Sequence, residues 1–232
     1  MCPKISDTIR TYDAIHDLYD AETRDFWEKF PAATVREFVS RLHGKDVLNL
    51  GSGPGRDSLI LREHGLSVTC IDGSKEMVEM TSRLGFKSIQ ADLRYLDLAE
   101  LYDGIWAYSS LIHLTYDESK ELLEKIHNLL RPRGVLFLGL IEGKGHETRN
   151  VSNSSYTRYF EYNVSIVLTN NDTEDEKSHK GAHLLQDATT GDFYCFRSLP
   201  WCLVNWLWRR IFGYCCLLRL LFYVLRSGGS TH

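Results

Sequence analysis

The stretch Val47-Leu-Asn-Leu-Gly51-Ser-Gly53-Pro-Gly55-Arg-Asp-Ser58 decides how the chain is read. An apolar run opening at Asp46 enters a glycine-rich loop, and the loop opens into a helix-forming segment. In a doubly wound sheet a ligand sits beyond the carboxyl ends of the strands where strand order reverses, so this loop is the first candidate site. Its spacing is GxGxG. A pyrophosphate-binding loop calls for GxGxxG, and the position of its third glycine is Arg56 here, which argues against a dinucleotide.

The pattern outside the loop agrees with this reading. Upstream, Pro31 to Leu42 places Val35, Phe38, Val39 and Leu42 at helical spacing, with Pro at the start and Gly44 past the end. Downstream, Asp57 to His64 reads as a helix closed by Gly65, and Leu66 to Ile71 as a second strand. Ser74 caps a helix running to Leu84, and Lys87 to Ala91 is a third strand. Tyr102 to Tyr108 is a fourth strand. A helix follows with Leu122, Leu123, Ile126, Leu129 and Leu130 on one face. Arg131 to Gly134 is a turn, and Val135 to Ile141 a fifth strand, apolar throughout. Continuous apolar strands separated by helices predict an α/β fold: a Rossmann-like, doubly wound, mostly parallel sheet.

The 232 residues carry a formal net charge of -4, which gives no overall attraction to nucleic acid or to an anionic membrane. No CxxC pair or histidine-rich spacing points to a metal, and Met1 to Arg10 contains no apolar run. A reduced, cytoplasmic setting is expected. Composition changes sharply after Tyr162. Residues 163–192 are polar, whereas residues 193–232 lack Asp and Glu and hold five Arg, three of the five Trp and four of the six Cys. The expected division is therefore a ligand-binding domain over 1–162 and an atypical tail over 163–232.

Three strand ends carry candidate side chains. Asp72, after the second strand, can accept hydrogen bonds from a ribose diol through both carboxylate oxygens, or serve as a cap. Asp92, after the third strand, can accept from an adenine amino group with Leu93 packed on the ring, or cap the next short helix. At the end of the fourth strand, within Ala107-Tyr-Ser109-Ser-Leu-Ile-His113-Leu114, His113 is either a general base or a packed side chain.

Four stretches in order resemble the class I S-adenosylmethionine-dependent methyltransferases, in particular small bacterial-type members near the tellurite-resistance methyltransferase group. They are Val47 to Ser58, Val68-Thr-Cys-Ile-Asp-Gly-Ser-Lys-Glu-Met77, Tyr102 to His113, and Leu130-Arg-Pro-Arg-Gly-Val-Leu136. The resemblance implies S-adenosylmethionine as cofactor. It places Gly51, Ser52, Gly53, Gly73 and Met77 along it, Asp72 at the ribose, Asp92 and Leu93 at the adenine, and Ser109 at the methionine side. Tyr12 matches an amino-terminal Tyr that closes over the cofactor, and Arg158 and Tyr159 fall in a segment near the acceptor.

Such proteins continue after the counterpart of Tyr162 into an acidic helix and a returning antiparallel hairpin. In this chain Val164 to Thr169 reads as one strand, and the final antiparallel strands are expected to be incomplete or replaced. Residues 201–225 carry Arg209, Arg210 and Arg219, too many cations for a membrane span; a basic helix on a membrane surface is the lesser reading. The expected function is methyl transfer to a small-molecule acceptor, with no nucleic-acid partner. The competing expectation is a catalytically impaired cofactor-binding or regulatory protein with a replaced carboxyl terminus.

Overall fold

The computed structural model describes residues 5–25, 32–142, 145–151, 156–162, 185–186, 193–194 and 217–224. In chain order the elements are α1 (Ile5–Thr23), α2 (Ala32–Arg41), β1 (Asp46–Leu50), α3 (Arg56–Glu63), β2 (Ser67–Asp72), α4 (Lys75–Arg83) and β3 (Lys87–Gln90). There follow β4 (Tyr102–Tyr108), α5 (Tyr116–Leu129), β5 (Leu130–Glu142), β6 (Gly145–Asn150), β7 (Thr157–Tyr162), β8 (Leu185–Gln186), β9 (Phe193–Tyr194) and β10 (Leu217–Val224). Short 3-10 turns at Leu93–Tyr95 and Leu111–His113 follow β3 and β4.

The main sheet has the order β10-β5-β4-β1-β2-β3. Its pairs β1–β2, β2–β3, β1–β4 and β4–β5 are parallel. From β1 the chain moves outward through β2 and β3, then crosses back to β4 on the other flank. The strand order thus reverses between β1 and β4, where the two strand ends leave a crevice.

Strand alternation divides the core between the two faces of the sheet. Leu48, Leu50, Ile105 and Ala107 pack with Leu122 and Ile126 of α5, while Val47 and Trp106 pack with Val35 and Phe38 of α2. On the second face Trp106 stacks on Phe137 at 3.8 Å between ring centroids, and Phe38 meets Trp106 edge-on at 5.1 Å. Helix starts follow their local chemistry. Ser74 accepts from the Met77 amide, and Thr115 and Glu118 form a reciprocal capping box that opens α5.

Three regions differ from expectation. Arg131–Gly134 is a bulge inside β5 rather than a turn before it: Tyr102 pairs with Leu130 and Gly104 with Val135, and Arg133 takes a φ of 65°. Helix α1 and the antiparallel β6–β7 hairpin are elements that periodicity alone did not reveal. Residues 217–224, instead of extending a surface helix, form a strand antiparallel to β5, from Leu217 opposite Glu142 to Val224 opposite Val135. The sheet therefore takes its outer strand from beyond residue 162. The strand expected over 164–169 lies outside the described residues. Among the described residues no helix is long and apolar enough to cross a membrane, and no group of His, Cys, Asp and Glu is placed to hold a metal ion.

Candidate functional site

The loop after β1 sits at the reversal point and is built from left-handed turns. Gly51, Gly53 and Gly55 have φ values of 66°, 52° and 92°. Two of them differ in what surrounds them. A Cβ on Gly51 would lie 2.4 Å from Ser110 Cβ, so this glycine lets β1 and β4 approach; a Cβ on Gly53 would meet nothing within 4 Å and would enter the crevice.

Asp72 faces that loop from the end of β2. Its Oδ2 accepts from the Gly53 amide and its Oδ1 from the Ser74 amide, each at 2.9 Å. Burial pushes its carboxyl up to about 6, against the lowering effect of the Ser74 and Gly53 amides. A carboxylate has about four acceptor sites, so it retains capacity for hydroxyl donors from a ligand.

Asp92 is committed differently. It caps the short turn through the Arg94 amide and holds the Arg94 side chain at 2.6 to 3.2 Å. Burial alone would raise its carboxyl, but the hydrogen bonds and charge of Arg94 outweigh it and hold the group below its ordinary range. The cap is realised, and most of the carboxylate's accepting capacity is spent on Arg94.

Helix α1 roofs the crevice. Thr8, Tyr12, Tyr19 and Thr23 recur at helical spacing and all line the cavity. The helix is fastened at several points. The Thr11 hydroxyl reaches the Thr157 carbonyl at 2.6 Å, the Tyr159 amide donates to Thr8 Oγ1 at 3.0 Å, and the Ser74 hydroxyl donates to Asp13 at 2.6 Å. Arg56, opening α3, pairs with Asp20 at 2.5 Å and also contacts Thr23. Ile9 lies directly over Gly73, where a Cβ would come within 2.8 Å of its Cδ1.

Opposite the loop, His113 bridges α1 and β7. Its Nδ1 lies 2.6 Å from the Tyr159 carbonyl and its Nε2 lies 3.0 Å from the Tyr12 hydroxyl. A carbonyl only accepts, so Nδ1 carries the proton and Nε2 accepts from Tyr12. Burial, with a further contribution from Arg158, brings the imidazole down to about 4, against the raising effect of the Tyr159 carbonyl. Burial likewise raises the Tyr12 phenol. Both groups are therefore neutral at physiological pH.

Tyr12, Gly51, Ser52, Gly53, Asp72, Gly73, Met77, Asp92, Leu93, Ser109, His113 and Arg158 all line this one cavity. Tyr159 does not. Alternation along β7 turns Arg158 and Phe160 inward and Tyr159 away, with its hydroxyl on Glu161; its backbone carbonyl serves the site instead. Phe160, in the segment expected near the acceptor, lines it too, as do Tyr19, Thr23 and Arg56, which were not expected there. The spacing Thr8, Tyr12, Tyr19, Thr23 was the available signal for the α1 residues.

Residues 47–134 match the family model described as a methyltransferase domain. Over this segment the chain carries a methyltransferase domain. A malonyl-[acyl-carrier protein] O-methyltransferase of Enterobacter lignolyticus is 33% identical to it over 93 residues, covering 39% of this chain and 36% of the relative. The cypemycin N-terminal methyltransferase of a Streptomyces species is 28% identical over 117 residues, covering 47% of this chain and 48% of the relative. The chain thus spans between about a third and a half of the curated relatives it matches. Among solved structures, the DhpI–SAH complex superposes with a TM-score of 0.60 at 24% identity, over 68% of this chain and 79% of that one. This likeness shows a shared fold that extends beyond the matched segment.

Proposed function

We propose that the chain is an S-adenosylmethionine-dependent methyltransferase acting on a small-molecule acceptor. The observation that carries the reading is the crevice at the strand-order reversal, where the left-handed loop of Gly51 to Gly55 and the buried carboxylate of Asp72 face the Tyr12–His113 pair.

The residues present fit that cofactor. Gly53 leaves open space where a side chain would stand. The buried hydroxyl of Ser110 has no hydrogen-bond partner among the described residues, and it lines the cavity beside Ser52 and Ser109, which suits a polar ligand laid along the loop. Asp72 would hold the ribose diol, Leu93 and Met77 would pack at the adenine, and Ser109 would face the methionine portion. Ser109 has a φ of 55°, a left-handed conformation costly for a residue with a Cβ and of a kind found at ligand clamps.

Bound S-adenosylmethionine supplies an electrophilic methyl group on a sulfonium leaving group. The acceptor's lone pair forms the new bond to the methyl carbon as the carbon–sulfur bond breaks, and its electron pair remains on sulfur. The chain's part is to align the two partners and exclude water. Tyr12 stands between roof and strand end, and His113 is the positioning residue that fixes its hydroxyl. With Nε2 occupied by Tyr12 and the imidazole lowered to about 4, His113 is placed to orient rather than to take a proton.

Among the relatives, one is named for malonyl-[acyl-carrier protein] and another for the cypemycin N-terminus, so an acceptor presented by a carrier or peptide is the competing class. The roof formed by α1 and its fastening to β7 favour a small acceptor. Calorimetric titration with S-adenosylmethionine tests the cofactor; absence of binding refutes the reading. Release of S-adenosylhomocysteine with a metabolite extract then distinguishes an enzyme from an impaired binding protein.

A further inference from the structure

Two arginines reach the cavity, and they are in opposite states. Arg56 is neutralised by Asp20, whose carboxylate oxygen lies 2.5 Å away. Arg158 has no such carboxylate: it hydrogen-bonds the neutral Tyr12 phenol, and its Nε is buried without a hydrogen-bond acceptor among the described residues. Its guanidinium lies over two rings, 5.8 Å from the centroid of Tyr12 and 5.5 Å from that of Phe160. Arg158 also acts on the His113 imidazole, which burial holds neutral, and on the Tyr19 phenol.

Arg158 is half-buried with its Nε shielded from water, and a partly desolvated cation is ordinarily paired with an anion, since ring contacts return little of the desolvation cost. The two rings hold the planar group in place, and its N–H donors form a fork matched to a carboxylate or phosphoryl group. A sulfonium bound beside Tyr12 would add positive charge on the same side of the cavity as Arg158, which an acceptor anion would help to offset.

We infer that the methyl acceptor carries an oxyanion, either a carboxylate or a phosphoryl-type group, and that Arg158 receives it. The inference rests on the methyltransferase reading.

The test uses the full chain saturated with S-adenosylhomocysteine and titrated calorimetrically with benzoate, phenylphosphonate and the neutral counterpart benzamide. Wild type is expected to bind at least one of the two anions about tenfold or more tightly than benzamide; which one identifies the oxyanion. Arg158→Met is expected to abolish that preference and Arg158→Lys to retain part of it, with S-adenosylhomocysteine affinity changed less than about threefold in both. Equal affinity of wild type for anions and amide overturns the inference, and needs no variant to fold. The inference also falls if Arg158→Met weakens S-adenosylhomocysteine tenfold while methylthioadenosine, which lacks the amino-acid carboxylate, binds wild type and variant alike. Arg158 would then serve the donor's own carboxylate. Failure of wild type to bind S-adenosylhomocysteine is a separate result that removes the underlying reading as well.

Discussion

Tyr12 of α1 and His113 at the end of β4 meet across the cavity, hydroxyl to Nε2 at 3.0 Å, and the Tyr159 carbonyl at 2.6 Å from Nδ1 fixes which nitrogen accepts. A contact between residues 101 positions apart thus sets a tautomer, and the tautomer sets the direction of a phenol's hydrogen bond.

Removing either partner should impair turnover without abolishing cofactor binding. Tyr12→Phe is expected to lower kcat by about tenfold or more through lost alignment and to cost roughly 1 kcal/mol of stability. Because the His113 imidazole is lowered to about 4, kcat at saturating cofactor should show no inflection near the ordinary histidine value. A limb near 6.5 that disappears in His113→Gln would instead make His113 the base.

The same shift predicts a dependence of stability on pH. The folded-state value, about 4, lies below the ordinary 6.5, so stability is fully present above 6.5 and is lost as pH falls towards 4. Asp72 has the opposite sign, since its folded value of about 6 lies above the ordinary 3.8. Comparison of wild type with His113→Gln removes the Asp72 contribution. The advantage of wild type over the variant should grow by roughly 3 kcal/mol in total between pH 4 and 6.5, measured by chemical denaturation.

Asp72 also predicts how cofactor affinity varies with pH. Ribose hydroxyls donate to the ionised carboxylate, so affinity should be level above about 6 and fall by up to about tenfold per pH unit below it. Asp72→Asn should weaken binding by at least about tenfold and remove this pH dependence, as read by calorimetry.

The two loop glycines should separate folding from binding. In Gly51→Ala the new Cβ collides with Ser110 at 2.4 Å as well as taking an unfavourable φ, so both stability and binding should fall. In Gly53→Ala the Cβ enters open space. The cost should be limited to about 1–2 kcal/mol of backbone strain, with cofactor affinity falling in a chain that still unfolds cooperatively.

The outer strand gives a final prediction. Deleting residues 163–232 removes the strand that covers β5 from Val135 to Glu142 and leaves that apolar edge unpaired. The shortened chain should self-associate at concentrations where the full chain does not, as measured by light scattering. Equal behaviour of the two would show that residues 217–224 contribute nothing to the sheet.

The alternation of apolar strands and helices from Asp46 to Ile141 was legible from spacing alone, as were the glycine loop, the capping role of Ser74 and the acids at the strand ends. These features are local. A strand's period, a helix's cap and a left-handed turn each depend on residues within a few positions of one another. What only the tertiary structure decided depends on distant packing. It brought α1 over the crevice, turned Arg158 and Phe160 inward and Tyr159 outward, and gave Asp92 to Arg94. It also lowered His113 by burial between α1 and β7, and laid residues 217–224 along β5. Desolvation, hydrogen-bond partners and sheet edges belong to the assembled neighbourhood, and no window of sequence contains that neighbourhood.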